Sequence, residues 1–600
     1  MNNEKKKSPS RLLMGSFIVL LISTIILSGL CTDWGKVKIT RVNLEAHDGQ
    51  TVSAIMYVPK SATSEAPAPA AILLHGRSNS AHVTHTWATE MARRGYVVIA
   101  PDMQGGGESD NIPGDMMEDT TYQDIMWDYL QMTEFVDHDA IFFGGFSAGA
   151  AKAYVAGNKY ANEGCAGIIS CAAVRVPEAP YNTNLLVLKA QNDQYNSLFG
   201  CGPRDVYEKT LAENLELPTD SAVSGEVYGS VEDKTAVQYV FLPTIIHQMS
   251  DVTPTGISAM VDFMNMVAPA PNMIDSSSAV WQWQQFMSLI AVLAFIGCIC
   301  GLGKVLLCIP WFREDIVNPL PTNKGARGAK YAFSALLAFA IPALIFIPVS
   351  ARGMGGIFEH NPILRSKNLN GVMAALITVQ LITICIIAVK YYMKKKAGVK
   401  VTLSDYAIAP EGSGINWKGV GKSFMLAMIV VVVAFVWLYF VEEFGGTNYQ
   451  CWRVIVVNRF NIHRMAATIP YIICIFIILF VSGIGMNTER RLDDKNSLLK
   501  CMIINALIAA SGVGFLLLVQ YGGSILSGTG QAVFAQKLTG TVGGTSVGAL
   551  DFAVGFPFII GTMAAINTYF FRKSGNIWTG TFIGAVLAAS MAVTQFTFSF

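Results

Sequence analysis

Nine long apolar runs limit what this 600-residue chain can fold into. One covers residues 12–30. Eight follow residue 285, at 286–309, 331–350, 371–389, 424–441, 466–486, 501–519, 552–571 and 578–598. Each is about long enough to cross a bilayer as a helix, which takes roughly 20 residues. The mean hydropathy of +0.42 averages over a sharp division. Residues 1–33 are expected to be a cytoplasmic N-terminus and first transmembrane anchor. Residues 34–270 read as an extracytoplasmic globular domain, 271–284 as a linker, and 285–600 as a membrane domain of about eight helices. A cleaved signal peptide would have a shorter apolar core and a small-residue cleavage site. Ser28-Gly29-Leu30-Cys31 approaches a lipoprotein signal, but Leu30 stands where a small residue is expected. An uncleaved anchor is the reading.

Lysine and arginine placement orients the spans. Lys5, Lys6, Lys7 and Arg11 put the N-terminus inside and the globular domain outside. The alternate loops that should then be cytoplasmic are basic. They carry Arg313, Lys324, Arg327 and Lys330; Lys394, Lys395, Lys396 and Lys400; Arg490, Arg491 and Lys495; and Arg572 and Lys573. The opposite loops hold fewer such residues, with Arg453, Arg459 and Arg464 a local exception. Nine spans leave the C-terminus outside. The expected location is the plasma membrane, as a multi-pass protein. A formal net charge of +1 gives no sign of a nucleic-acid partner.

Gly145-Phe146-Ser147-Ala148-Gly149 carries the chemistry. It follows an apolar run, residues 140–144, that reads as a buried strand, and precedes an Ala-rich helical stretch. Strand, sharp turn and helix are the context that makes GxSxG a nucleophile elbow. Gly145 and Gly149 allow the tight turn and the close approach of strand and helix. Eight short strands are expected, at 37–44, 52–58, 70–74, 96–100, 140–144, 167–174, 185–189 and 237–242. The first two form a hairpin across Asp48-Gly49. Later strands alternate with helices, which implies a mostly parallel sheet covered on both faces. Ligands bind such sheets at the carboxyl ends of the strands. Ser147, Asp193 and His247 all fall just past strand ends.

These residues resemble the α/β-hydrolase superfamily, nearest in layout to its compact dienelactone-hydrolase-like and esterase/lipase members. The resemblance spans residues 37–267, about two-fifths of the chain. It implies a mostly parallel eight-stranded sheet with helices on both faces, joined here to an all-α transmembrane domain. The family order along the chain is nucleophile, acid, histidine. Ser147 would attack, His247 would take its proton and Asp193 would hold the imidazole. By family position the oxyanion hole would be the backbone N–H groups of Arg77 and Ala148. His75 resembles the family's structural His-Gly turn. Asp102 opens a loop that is structural in the family, with Gln104 where arginine is common. His82 and His85 are expected at the surface or pocket wall, and the Arg77 side chain in solvent or on an anionic substrate group, with solvent favoured. Asn192 neighbours the acid, and Asp205 is the fallback acid.

No His, Cys and Glu cluster has metal-ligand spacing, so neither a metal nor a cofactor is expected. Residues 197–234 would form a small flap or extra hairpin. An oxidising exterior permits a disulfide among Cys165, Cys171, Cys201 and Cys451, with no pairing assignable. Few ionisable residues lie within the runs; Glu442, Glu443 and Asp551 sit at outer boundaries. Gln380, Asn505 and Asn567 read as interhelical hydrogen-bonding groups, and Gly580–Gly584 as a close-packing pattern. Residues 522–550 should lie outside, or partly re-enter. The expected function is a membrane-anchored serine hydrolase acting on a small-molecule or lipid-like acyl substrate. An acyltransferase or peptidase with the same triad, or a transporter or receptor with a ligand-binding outer domain, are the alternatives.

Overall fold

The structure is a computed structural model that describes residues 10–46, 49–103, 105–112, 119–172, 182–195, 204–218, 221–352, 361–530, 533–534 and 550–596. Several readings lie outside those residues: Lys5 to Lys7, Asp48, Gln104, Cys201, most of 522–550, and parts of the 167–174 strand and the 197–234 segment.

The sheet contains β1 (Val37–Glu45), β2 (Thr51–Pro59), β3 (Ala68–Leu74), β4 (Val97–Pro101), β5 (Val136–Phe146), β6 (Cys165–Cys171), β7 (Asn184–Asn192), β8 (Val227–Tyr228) and β9 (Val237–Ile246). Their spatial order is β1-β2-β4-β3-β5-β6-β7-β9-β8. The sheet therefore has nine strands, not the expected eight. The additional strand is two residues long and pairs antiparallel at the edge, through Val227 with Gln238. It falls in the 197–234 segment, where a small flap or extra hairpin was expected. Strands β3 to β7 and β9 run parallel; the β1–β2 hairpin joins antiparallel through β4.

Central strands carry near-continuous apolar runs, as at residues 140–143 of β5 and 185–188 of β7, because both faces are covered there. Adjacent residues of β5 separate the two cores. Phe143 stacks with Trp127 and Tyr160 on one face, where α3 (Thr121–Gln131), α4 (Ala148–Lys159) and α5 (Arg204–Asn214) pack. Phe142 meets Tyr96 on the other, beneath α2 (His85–Ala92) and α6 (Pro254–Val267).

The remaining long helices form a bundle. They are α1 (Arg11–Cys31), α7 (Trp281–Leu306), α9 (Ala329–Arg352), α10 (Lys367–Lys396), α11 (Trp417–Glu443), α12 (Met465–Ile484), α13 (Leu498–Leu517), α15 (Phe556–Ser574) and α16 (Trp578–Gln595). Short α8 (Pro310–Ile316) and α14 (Gly523–Ser527) lie between them. Among the described residues seven are long and apolar enough to cross a membrane, against the nine expected. The two outside that set are α15 and α16. They run between the same two ends of the bundle as the others. Asp551, just before α15, meets the sheet domain, while Ser574 at its far end accepts from the Asn318 N–H. Both are largely buried, so neither needs a lipid-facing apolar surface.

Polar pairs stitch the bundle. Asn505 donates to Thr568, Asn487 to Asn567, Asn567 to Thr581, and Ser482 to Gln380. A Cβ at Gly580 would lie 2.7 Å from the Asn567 Cα, and one at Gly584 2.9 Å from Leu479. Those glycines let α16 seat against α15 and α12. Two short π-helical turns, Gly485–Glu489 and Leu518–Gly522, follow α12 and α13.

One end of the bundle abuts the sheet domain. Cys31 at the end of α1 meets His85. Glu90 accepts from the N–H groups of Val280 and Trp281 at the start of α7. Asn368 at the start of α10 donates to Ser78. Glu442 at the end of α11 pairs with Arg41, and Arg464 before α12 donates to the Gly105 carbonyl.

Candidate active site

Strand β5 ends in a turn that only small flanking residues permit. Ser147 has φ 56° and ψ −123°, a conformation that costs a residue with a Cβ of order 1–3 kcal/mol. Surrounding contacts hold it there. A Cβ on Gly145 would lie 2.2 Å from the Gly149 carbonyl oxygen, and one on Gly149 2.1 Å from that of Leu74. The Ser147 N–H donates to the Cys171 carbonyl at 2.8 Å, tying the turn to β6. The serine side chain thus stands at the start of α4, over the strand ends.

Three side chains meet there. Ser147 Oγ is 3.0 Å from His247 Nε2. His247 Nδ1 is 2.8 Å from Asp193 Oδ2. Asp193 directly follows β7 and His247 directly follows β9, so adjacent parallel strands deliver both. Both side chains are buried. The second Asp193 oxygen accepts the Tyr195 N–H at 2.8 Å. Burial opposes charge on the imidazole, but the Asp193 carboxylate, aided by Asp551 and opposed by Arg453, outweighs it. The net direction for His247 is upward from 6.5.

Ala148 opens α4, so its N–H is among those with no intrahelical acceptor. Arg77 follows the His75-Gly76 turn, and its side chain is exposed. His75 is fixed in that turn: Nδ1 donates to the Gly76 carbonyl at 2.7 Å and Nε2 accepts the Met103 N–H at 2.8 Å. Burial lowers its pKa. Asp102 accepts the N–H groups of Ala81 and Glu108 and pairs with Arg41 at 2.8 Å. Despite burial, those partners hold its carboxyl at about 2. Asp205 lies exposed in the first turn of α5, and the carboxylate hydrogen-bonded to the histidine is that of Asp193. Asn192 is buried at the end of β7.

Of the two alternatives expected for His82 and His85, surface or pocket wall, the surface fails: both are buried, and His82 lines a small cavity with Arg41, Ser80 and Arg459. His85 lies between the Tyr57 hydroxyl and Cys31 Sγ, and burial lowers its pKa to about 4. His82 lies between Arg41 and Asn448. The bundle covers the surface on which they would otherwise lie. Cys165, Cys171 and Cys451 are free thiols. No group of His, Cys, Asp and Glu able to hold a metal occurs among the described residues.

Four residues from the bundle side reach this region. Asp551 accepts from Tyr195 and Gln248, and Tyr521 accepts from Gln248 and Gln194. The Arg453 guanidinium lies 3.9 Å over the Phe146 ring and pairs with Asp251. The Gly528 carbonyl accepts from Gln191 at 3.0 Å. None of these contacts has a sequence signal, because each joins positions hundreds of residues apart.

The sheet order and the elbow define an α/β hydrolase. Residues 65–198 match a family model described as serine aminopeptidase, S33. The sheet domain has an α/β-hydrolase-like fold, joined here to a domain of long apolar helices. Among solved structures, Est1E from Butyrivibrio proteoclasticus with bound ferulic acid is 14% identical. That match covers 34% of this chain and 90% of Est1E, with a TM-score of 0.25. A predicted CIB-like hydrolase from Thermoplasma acidophilum is 18% identical, covering 35% and 89%, with a TM-score of 0.24. An epoxide hydrolase from Vigna radiata is 17% identical over 24% of this chain, with a TM-score of 0.19; the chain spans 43% of its length. No curated protein matches.

Proposed function

We propose that the protein is a membrane-anchored serine hydrolase that cleaves an ester or related acyl bond through Ser147, His247 and Asp193. The supporting observation is the unbroken hydrogen-bonded chain from Ser147 Oγ through the imidazole to the Asp193 carboxylate, at 3.0 and 2.8 Å. In this reading His247 Nε2 removes the serine proton as Oγ attacks the acyl carbon. The carbonyl oxygen becomes an oxyanion held by the N–H groups of Ala148 and Arg77. Its collapse expels the leaving group, which takes the proton from the imidazolium. Water, activated by the same histidine, then releases the acid and regenerates Ser147. Asp193 fixes the tautomer with Nδ1–H and stabilises the imidazolium. The substrate is a small or lipid-like acyl compound, met at the outer face of a plasma membrane.

Ser147→Ala should abolish both ester turnover and labelling by a fluorophosphonate probe in the full-length protein. Labelling that persists in this variant refutes the assignment. A peptidase with the same triad is the second reading, favoured by the description of the matching family model. Comparing hydrolysis of an aminoacyl amide with that of an ester separates the two.

A further inference from the structure

The groups that steady the triad loops come from the helical bundle. The Tyr195 ring lies edge-on to the His247 imidazole with centroids 4.5 Å apart. Its hydroxyl donates to Asp551 Oδ2 at 3.0 Å. Gln248, the residue after His247, donates one amide hydrogen to Asp551 Oδ1 and the other to the Tyr521 hydroxyl at 2.6 Å. Gln194, the residue after Asp193, also donates to the Tyr521 hydroxyl, at 3.5 Å. The bundle therefore holds the residue that follows each loop-borne member of the triad. Gly530 closes the arrangement from the same side: a Cβ there would lie 2.0 Å from the Asp193 carbonyl oxygen.

We propose that Asp551 and Tyr521 are positioning residues of the active centre, supplied by the bundle to fix the loops that carry His247 and Asp193. The proposal rests on the triad reading given above. Its physical basis is the sensitivity of proton transfer to geometry, where an ångström of misplacement costs of order 100-fold. Asp193 and His247 leave the sheet at strand ends, and the loop residues after them gain rigidity from partners outside the sheet domain. A single span would tether the domain but would not bring Tyr521 and Asp551 to its rim. Asp551 also acts on charge. The Tyr195 ring faces the imidazole, the Tyr521 hydroxyl lies on the neighbouring Gln248 amide, and Asp193, Asp251, Asp551 and Arg453 act on the imidazole through charge; among them the Asp551 carboxylate favours the imidazolium while Arg453 opposes it.

The test uses full-length protein in detergent, a p-nitrophenyl ester as substrate and a fluorophosphonate as label. Asp551→Asn should lower kcat about 10- to 100-fold with a much smaller change in KM. The acid limb of its kcat/KM profile should move to lower pH, because a negative charge beside the imidazole is lost. Asp551→Glu should restore the acid limb. A structural role alone would not move that limb. Tyr521→Phe, which removes one hydroxyl, should lower kcat in the same direction and serves where Asp551→Asn does not accumulate. Wild-type kcat and an unmoved acid limb in Asp551→Asn, or wild-type kcat in Tyr521→Phe if that variant carries the test, overturn the proposal. If the wild-type protein is labelled at Ser147 in that experiment, the triad reading survives. Wild-type protein that takes no label at Ser147 overturns both.

Discussion

Two opposing effects act on His247. Burial disfavours the imidazolium, whereas the carboxylate 2.8 Å away favours it, and the balance lies above 6.5. The histidine must be neutral to accept the serine proton, so activity should fall as pH drops through that raised value. The kcat/KM profile of the full-length protein should have its acid midpoint above 6.5. A midpoint below this value would mean that burial, not the carboxylate, sets the state of the base. Ser147 and its glycines were readable from sequence because a strained turn between strand and helix tolerates few residue types. The order serine, aspartate, histidine is what the family resemblance implies, and it falls on residues that each follow an apolar run. Arg453, Tyr521 and Asp551 were not, since a contact across several hundred residues leaves no local pattern. The burial of His82 and His85 was hidden likewise, because the side chains that cover them arrive from other segments.

At the scale of elements, periodicity gives long strands and apolar helices, and turn residues give the edge hairpin that holds the two-residue β8, but not its place in the sheet. Helices α15 and α16 show the converse limit. Their runs looked like spans, and they do traverse the bundle, yet they are shorter and richer in Thr, Ser, Asn and Gly than the seven that qualify by length and composition. Burial among other helices replaces lipid contact, so small and polar residues are tolerated there. At Gly580 that packing is against backbone. Gly580→Val would press its Cβ onto the Asn567 backbone, which cannot yield as a flexible side chain would. The expected cost is about 1–3 kcal/mol, read as a lower thermal midpoint in detergent. Gly514, with open space around a Cβ, is the control and should tolerate Ala with little change.

The whole molecule resolves the exception in its charge pattern. Arg453, Arg459 and Arg464 sit on the end of the bundle where basic residues are otherwise sparse, and each is used by the sheet domain. Arg453 pairs with Asp251, Arg459 with Glu108 at 2.8 Å, and Arg464 with the Gly105 carbonyl. They are docking residues, so they carry no weight as topology signals. The basic loops gather at the opposite end. Arg572 pairs with Asp494, Arg491 donates to the Pro321 carbonyl, and Ile577 N–H donates to Ala407. In the orientation we propose, which follows the positive-inside rule, that end lies in the cytoplasm and the sheet domain outside. Single cysteines can test this in intact cells with a membrane-impermeant maleimide. Glu65→Cys lies on the exposed surface of the sheet domain, and Glu411→Cys on an exposed loop at the basic end. The first should label at once and the second only after permeabilisation. The reverse order would place the active centre in the cytoplasm and leave the arginine and lysine asymmetry to some other cause, such as pairing with Asp315 and Asp494 at that end.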